Sequence, residues 1–126
     1  MKRIWIATAI LLLLFAGTMA HSFYITTVTE QITSILHEAE AKAEANEWDS
    51  AQRLTDTAQK KWKDKDAYLH ILLRHSETDS IYIGFREVME FIQCQEGGEY
   101  SAANARLIAE LELLAEAEQL SLKNIL

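Results

Sequence analysis

The segment His75-Ser76-Glu77-Thr78-Asp79 gathers an imidazole, two hydroxyls and two carboxylates within five residues. On a helix His75 and Asp79 would share a face, and Glu77 could approach from a break in the chain. A metal site needs three or more such ligands converging, each oriented by a hydrogen-bonding partner. The same residue types also serve helix ends. Ser76 lies three residues before Asp79, a weaker relative of the capping box, and His75 can satisfy the carbonyls of a preceding helix. The expectation is the structural one, a helix break held by hydrogen bonds. The other histidines add no ligand set: His70 diverges from His75 on a helix, His37 sits among Glu38 and Glu40, and His21 borders an apolar run. No nucleophile elbow, phosphate-binding glycine loop or zinc-ligand spacing occurs. The sequence therefore predicts no catalytic residue, no cofactor and no metal, and a protein that is not an enzyme.

Aromatic residues are the other candidates. Trp62 with Tyr68, Leu69 and Leu72 forms either an exposed partner patch or part of a core, since large aromatics dominate both. Trp48 and Tyr100 sit in similar surroundings: Glu47-Trp48-Asp49-Ser50-Ala51 against Glu99-Tyr100-Ser101-Ala102-Ala103. An acid, an aromatic, two small or polar residues and an alanine recur with a spacing of about 52 residues. That pattern is similar to the turn and second helix of a tetratricopeptide hairpin, though its period exceeds that family's usual ~34. Trp48 and Tyr100 are thus expected as equivalent wedges between paired helices.

The elements that must position these residues read as helices throughout. Proline is absent, glycine occurs only at 17, 84, 97 and 98, and Ala, Glu, Leu, Gln and Lys are plentiful. Val28, Ile32, Ile35, Leu36, Ala39 and Ala43 recur at helical spacing, followed by a turn at Asn46-Glu47. Trp48, Ala51, Leu54 or Thr55, Ala58 and Trp62 predict a second helix to about Lys63. Its closing lysines, Lys60, Lys61 and Lys63, would complement the helix dipole. A turn at Asp64 to Asp66 and a short apolar helix over Tyr68 to Leu73 come next. Ile81, Phe85, Val88, Met89 and Ile92 predict a helix ended by Gly97-Gly98. Tyr100, Ala103, Leu107, Leu111 and Leu114 give the buried face of the last helix, and residues 121–126 a tail.

These elements hang from an uncharged run, Ile4 to Thr29, preceded by Lys2-Arg3. Roughly twenty helical residues cross a hydrocarbon core. Trp5 and the pair Phe23-Tyr24 would stand about 28 Å apart on a helix, matching the two interfacial belts. Residues 4–25 are therefore expected to span the bilayer, with no break before the following amphipathic helix. The lysine and arginine at the start place the N-terminus inside the cytoplasmic membrane and the domain outside. The rival reading is a secretory signal cleaved after Thr18-Met19-Ala20, which would release a secreted helical protein from the same side.

Residues 26–120 are enough for one domain. Setting aside Lys2 and Arg3 leaves ten bases against nineteen acids, a surface that repels nucleic acid and anionic headgroups. Cys94 is the single cysteine, so an intrachain disulfide is excluded. It is expected as a small buried hydrophobe, with a homodimer through Cys94 or the anchor left open.

The MKR start, the single span, the amphipathic helix, Trp62, the His75-Ser76-Glu77 break and the Phe91-Ile92 helix end resemble a small bacterial family. That family is a domain of unknown function typical of spore-forming anaerobes. The resemblance implies a membrane-anchored helical domain with no known activity, and a multi-span membrane protein as partner. The expected architecture is all-α, a transmembrane helix (1–25) continuing into an antiparallel bundle of two tetratricopeptide-like hairpins. The expected function is an extracytoplasmic interaction or scaffold module, with a ligand-sensing accessory subunit as the alternative.

Overall fold

The computed structural model describes the backbone of residues 1–72 and 75–125 and the side chains of 1–64, 79–117, 119 and 120. It contains four helices: α1 (Lys2–Glu44), α2 (Trp48–Leu72), α3 (His75–Gln93) and α4 (Gly97–Ile125). With no proline to remove a hydrogen bond or force a kink, α1 runs unbroken for 43 residues. Its two halves have different surroundings. Trp5, Ile10, Leu11, Leu12, Leu13 and Leu14 are exposed. From Ser22 onward Ile25, Thr29, Ile32, Leu36, Ala39 and Ala43 are buried, a stripe stepping by three or four residues. α1 is long and apolar enough to cross a membrane; its apolar stretch has a mean hydropathy of 1.9 and none of it is buried.

Helix α1 packs on α2 and α4, and α3 packs on the same two, so each helix has two neighbours and the bundle closes as a ring. Cross-helix bonds fix the direction. On α4, Ser101 Oγ donates to Glu40 Oε1 (2.9 Å), Asn104 Nδ2 to the Leu36 carbonyl (3.1 Å) and Gln119 Nε2 to Thr26 Oγ1 (3.3 Å). These make α4 antiparallel to α1. Ser80 Oγ to Glu110 Oε2 (3.1 Å) and Arg106 to Glu87 (2.7 Å) make α3 antiparallel to α4. Tyr100, Phe85, Ile32, Leu36, Ile81, Ile92, Leu107 and Leu111 form the centre of the core. Gly84 lets α3 and α4 approach closely, since a Cβ there would come within 3.0 Å of Leu107 Cδ1.

The two hairpins, α1–α2 and α3–α4, turn in the same way. Asn46 N–H donates to the Ala43 carbonyl (3.0 Å) and Glu47 N–H to that of Lys42 (2.8 Å). Gln95 N–H likewise donates to Ile92 (3.0 Å) and Glu96 N–H to Phe91 (3.1 Å). Each is a Schellman closure, with the next helix starting at once through Ala51 N–H to Glu47 (3.1 Å) and Tyr100 N–H to Glu96 (2.8 Å). Asn46 (φ 61°) and Gln95 (φ 54°) take the left-handed position that glycine occupies most easily. Asparagine tolerates it better than glutamine. Gln95→Gly is therefore expected to stabilise the bundle by up to about 1 kcal/mol in chemical denaturation. A loss of stability would mean that the Gln95 side chain contributes more than its backbone costs.

Several boundaries differ from the sequence expectation. No turn forms at Asp64–Asp66, because α2 continues to Leu72. The polar run Lys63 to Asp66 lacks any Gly or Pro, and polarity alone does not break a helix. Lys60, Lys61 and Lys63 therefore sit inside α2, beyond the reach of its C-terminal dipole; Lys60 instead pairs with Asp56 at 3.1 Å. Gly97 and Gly98 open α4 and do not close α3, whose left-handed residue is Gln95. Since α3 starts at His75, Ser76 lies inside its first turn and not ahead of it. The buried stripe begins at Ser22, and α4 continues past residue 120 to Ile125.

Candidate functional site

Because both hairpin turns lie at the same end of the bundle, opposite the exposed apolar half of α1, the residues flanking them meet. Trp48, the first residue of α2, packs edge-on against Tyr100 of α4, with ring centroids 5.7 Å apart and planes at 74°. Beside this pair lies a cleft of about 520 Å³ between the two turns. Glu40, Ala43 and Glu44 of α1 form one wall, Asn46 and Gln95 of the turns a second, and Trp48, Gly97, Tyr100 and Ser101 the rest.

The electrostatics of this end are negative. Glu40 and Glu44 are one helical turn apart, so both carboxylates face the cleft, and Ser101 holds Glu40 by the bond that crosses from α4. Glu96 and Glu99 stand at the neighbouring α4 terminus and share a hydrogen bond. That bond and the charge of Glu99 raise the Glu96 carboxyl above its ordinary value. Lys42 is engaged by Glu47 at 3.4 Å. Tyr100 is only 1% exposed, and its hydroxyl has no hydrogen-bond partner among the described residues. Burial, then the charges of Glu40 and Glu44, push the phenol well above its ordinary value, keeping it protonated.

The aromatic pair expected from the sequence is thus brought together, but as contact partners and not as equivalents. The left-handed residues Asn46 and Gln95 stand 49 residues apart, whereas the sequence similarity ran from Glu47 to Glu99. In the turn geometry Ala51, and not Trp48, occupies the place of Tyr100. Trp62 is 3% exposed and belongs to the core, so it cannot anchor a surface patch. The side chains of Tyr68, Leu69, Leu72, His75 and Glu77 lie outside the described residues. Asp79 is exposed, beside a groove with Ser80, Ile83, Glu87, Arg106 and Glu110. Cys94, expected to be buried, is exposed, because it falls one residue past the end of α3, in the turn. Among the described residues no three His, Cys, Asp or Glu side chains converge to hold a metal ion.

Sequence reasoning missed Glu40, Glu44, Asn46, Gln95 and Ser101 as a set. Their only local signal is position: each lies within one or two turns of a hairpin connection. Pairing α1 with α4 requires the fold.

A family model described as a domain of unknown function, DUF4363, matches residues 19–125. No curated protein and no solved structure matches the chain.

Proposed function

The chain belongs to the DUF4363 family, and from that premise we propose that it is a single-pass, membrane-anchored interaction module whose bundle stands outside the cytoplasmic membrane. The observation that supports this reading is the division of α1: one unbroken helix whose first half is apolar and exposed and whose second half is a buried bundle strand of the ring. An exposed apolar surface of that length marks a membrane or protein interface. Lys2 and Arg3 on one flank, with acids on the other, favour an inside N-terminus. Retention over cleavage is favoured by Trp5 and Phe23, both exposed near the two ends of the apolar stretch. Paired hairpins, tetratricopeptide-like in size, suit a protein partner, and a partner within the same membrane is within reach of the anchor.

Two measurements test the anchor. Mass spectrometry of the membrane-extracted protein is expected to return a chain still carrying Lys2 to Ala20; a mature chain starting at His21 would overturn it. In a Cys94→Ser background, Glu112→Cys is expected to react with an impermeant thiol reagent in intact cells, because Glu112 is exposed on α4. Protection in intact cells with labelling after lysis reverses the topology. A second reading, a ligand-sensing accessory subunit, is supported by the cleft between the hairpin turns.

A further inference from the structure

The cleft has a chemistry of its own, which stands whichever side of a membrane the bundle occupies. We propose that it is a binding site for a primary alkylammonium group, held by Glu40, Glu44 and the hydroxyl of Tyr100 against the ring of Trp48. Two ionised carboxylates only accept hydrogen bonds, and the phenol oxygen can accept one more. A primary ammonium presents three N–H donors, the number that this set of acceptors takes. The Tyr100 side chain is 99% buried, lines the cleft and leaves its hydroxyl without a partner among the described residues. Such a buried polar group is costly unless something bonds to it.

Other ligand classes fit less well. Anions meet Glu40 and Glu44 at close range and the further acids Glu47, Glu96 and Glu99 around the rim. A bare divalent cation would want three or more hard ligands, and no such convergence exists among the described residues. The volume, about 520 Å³, suits a small organic molecule or a side chain better than an ion. Ala43, Gly97 and the Trp48–Tyr100 pair supply the apolar wall along which an alkyl stem can lie, with the aromatic rings favouring a cation beside them. The Ser101 bond to Glu40 holds one carboxylate in place, so less freedom is lost when the cation arrives.

The test is titration of the full chain, in maltoside micelles free of choline headgroups, with n-butylammonium and with its neutral counterpart n-butanol. Saturable calorimetric binding of the ammonium with a Kd on the order of 1 mM is expected, and none of the alcohol. Glu40→Gln and Glu44→Gln should each weaken binding about tenfold, and Tyr100→Phe by a few-fold. Glu112→Gln on the exposed face of α4 should leave it unchanged. Nα-acetyl-lysine N-methylamide distinguishes the source: tighter binding than butylammonium points to a lysine of a protein, weaker binding to a free amine. Equal binding of the alcohol, full affinity in both Gln variants, or no saturable binding overturns the site. None of these results bears on the anchor, which the labelling experiment decides separately.

Discussion

Trp62→Ala is expected to lower the stability of the bundle by about 3–5 kcal/mol, the range for truncating a large buried aromatic. The reason lies in how α2 is built. Its buried positions are Ala51, Thr55, Ala58 and Trp62, three small residues and one large one. The small residues let α2 approach its neighbours, and Leu54 and Trp48 are only partly buried. Trp62, 3% exposed, therefore supplies much of the apolar area that α2 removes from water. None of its neighbours at one-turn spacing upstream is large enough to fill the space it would leave. Denaturant unfolding of the full chain in micelles, followed by circular dichroism, measures the loss. A change below about 1 kcal/mol would place Trp62 at the surface and restore the partner patch with Tyr68, Leu69 and Leu72.

The helical periodicity in the sequence was enough to identify the core. Ile32, Leu36, Ala39, Ala43, Ala51, Ala58, Ile81, Phe85, Val88, Ile92, Tyr100, Ala103, Leu107, Leu111 and Leu114 are all buried at the spacing from which they were read. The continuity of α1 was legible too, since nothing between Gly17 and Ala45 breaks a helix. Three kinds of feature were not legible. A cluster of charges at Lys63 to Asp66 resembles a loop in composition, yet helix is retained because the backbone there meets no steric obstacle. The glycine pair 97–98 resembles a C-cap, yet the cap is the non-glycine Gln95, because the position of the Schellman bonds is set by where α3 stops packing. The polar residues Asn104 and Thr55 are fully buried. Nothing in a single sequence separates them from exposed neighbours. Asn104 bonds the carbonyl of Leu36 on another helix, a contact visible only after α1 and α4 are paired. The cleft is of this last kind: it is assembled from both hairpin turns, and no short stretch contains it.

Tyr100→Ala is expected to cost about 3–5 kcal/mol, while Trp48→Ala costs about 1–2 kcal/mol. The asymmetry follows from the turn geometry. Tyr100 is the fourth residue of α4, 1% exposed and among the largest fully buried side chains, whereas Trp48 opens α2 and is only partly buried. What Trp48 loses is an edge-on ring contact, worth about 0.5–1.5 kcal/mol beyond its area. Equal losses at the two positions would instead support the reading in which they are equivalent wedges. Tyr100→Phe separates the ring from the hydroxyl. Removing a buried group without a partner should leave stability unchanged or raise it by about 1 kcal/mol. The same variant should also change the response to alkali. The unfolded phenol gives up its proton near the ordinary value of 10.0, whereas in the folded bundle burial and the charges of Glu40 and Glu44 hold that proton to higher pH. Above about pH 10 the native state thus binds more protons than the unfolded one, and stability falls as pH rises. Relative to Tyr100→Phe, the wild-type protein should lose about 1.4 kcal/mol per pH unit in that range and nothing below it. Parallel alkaline profiles for the two proteins would mean that the phenol is not buried beside those carboxylates, and the geometry of the cleft would have to be redrawn.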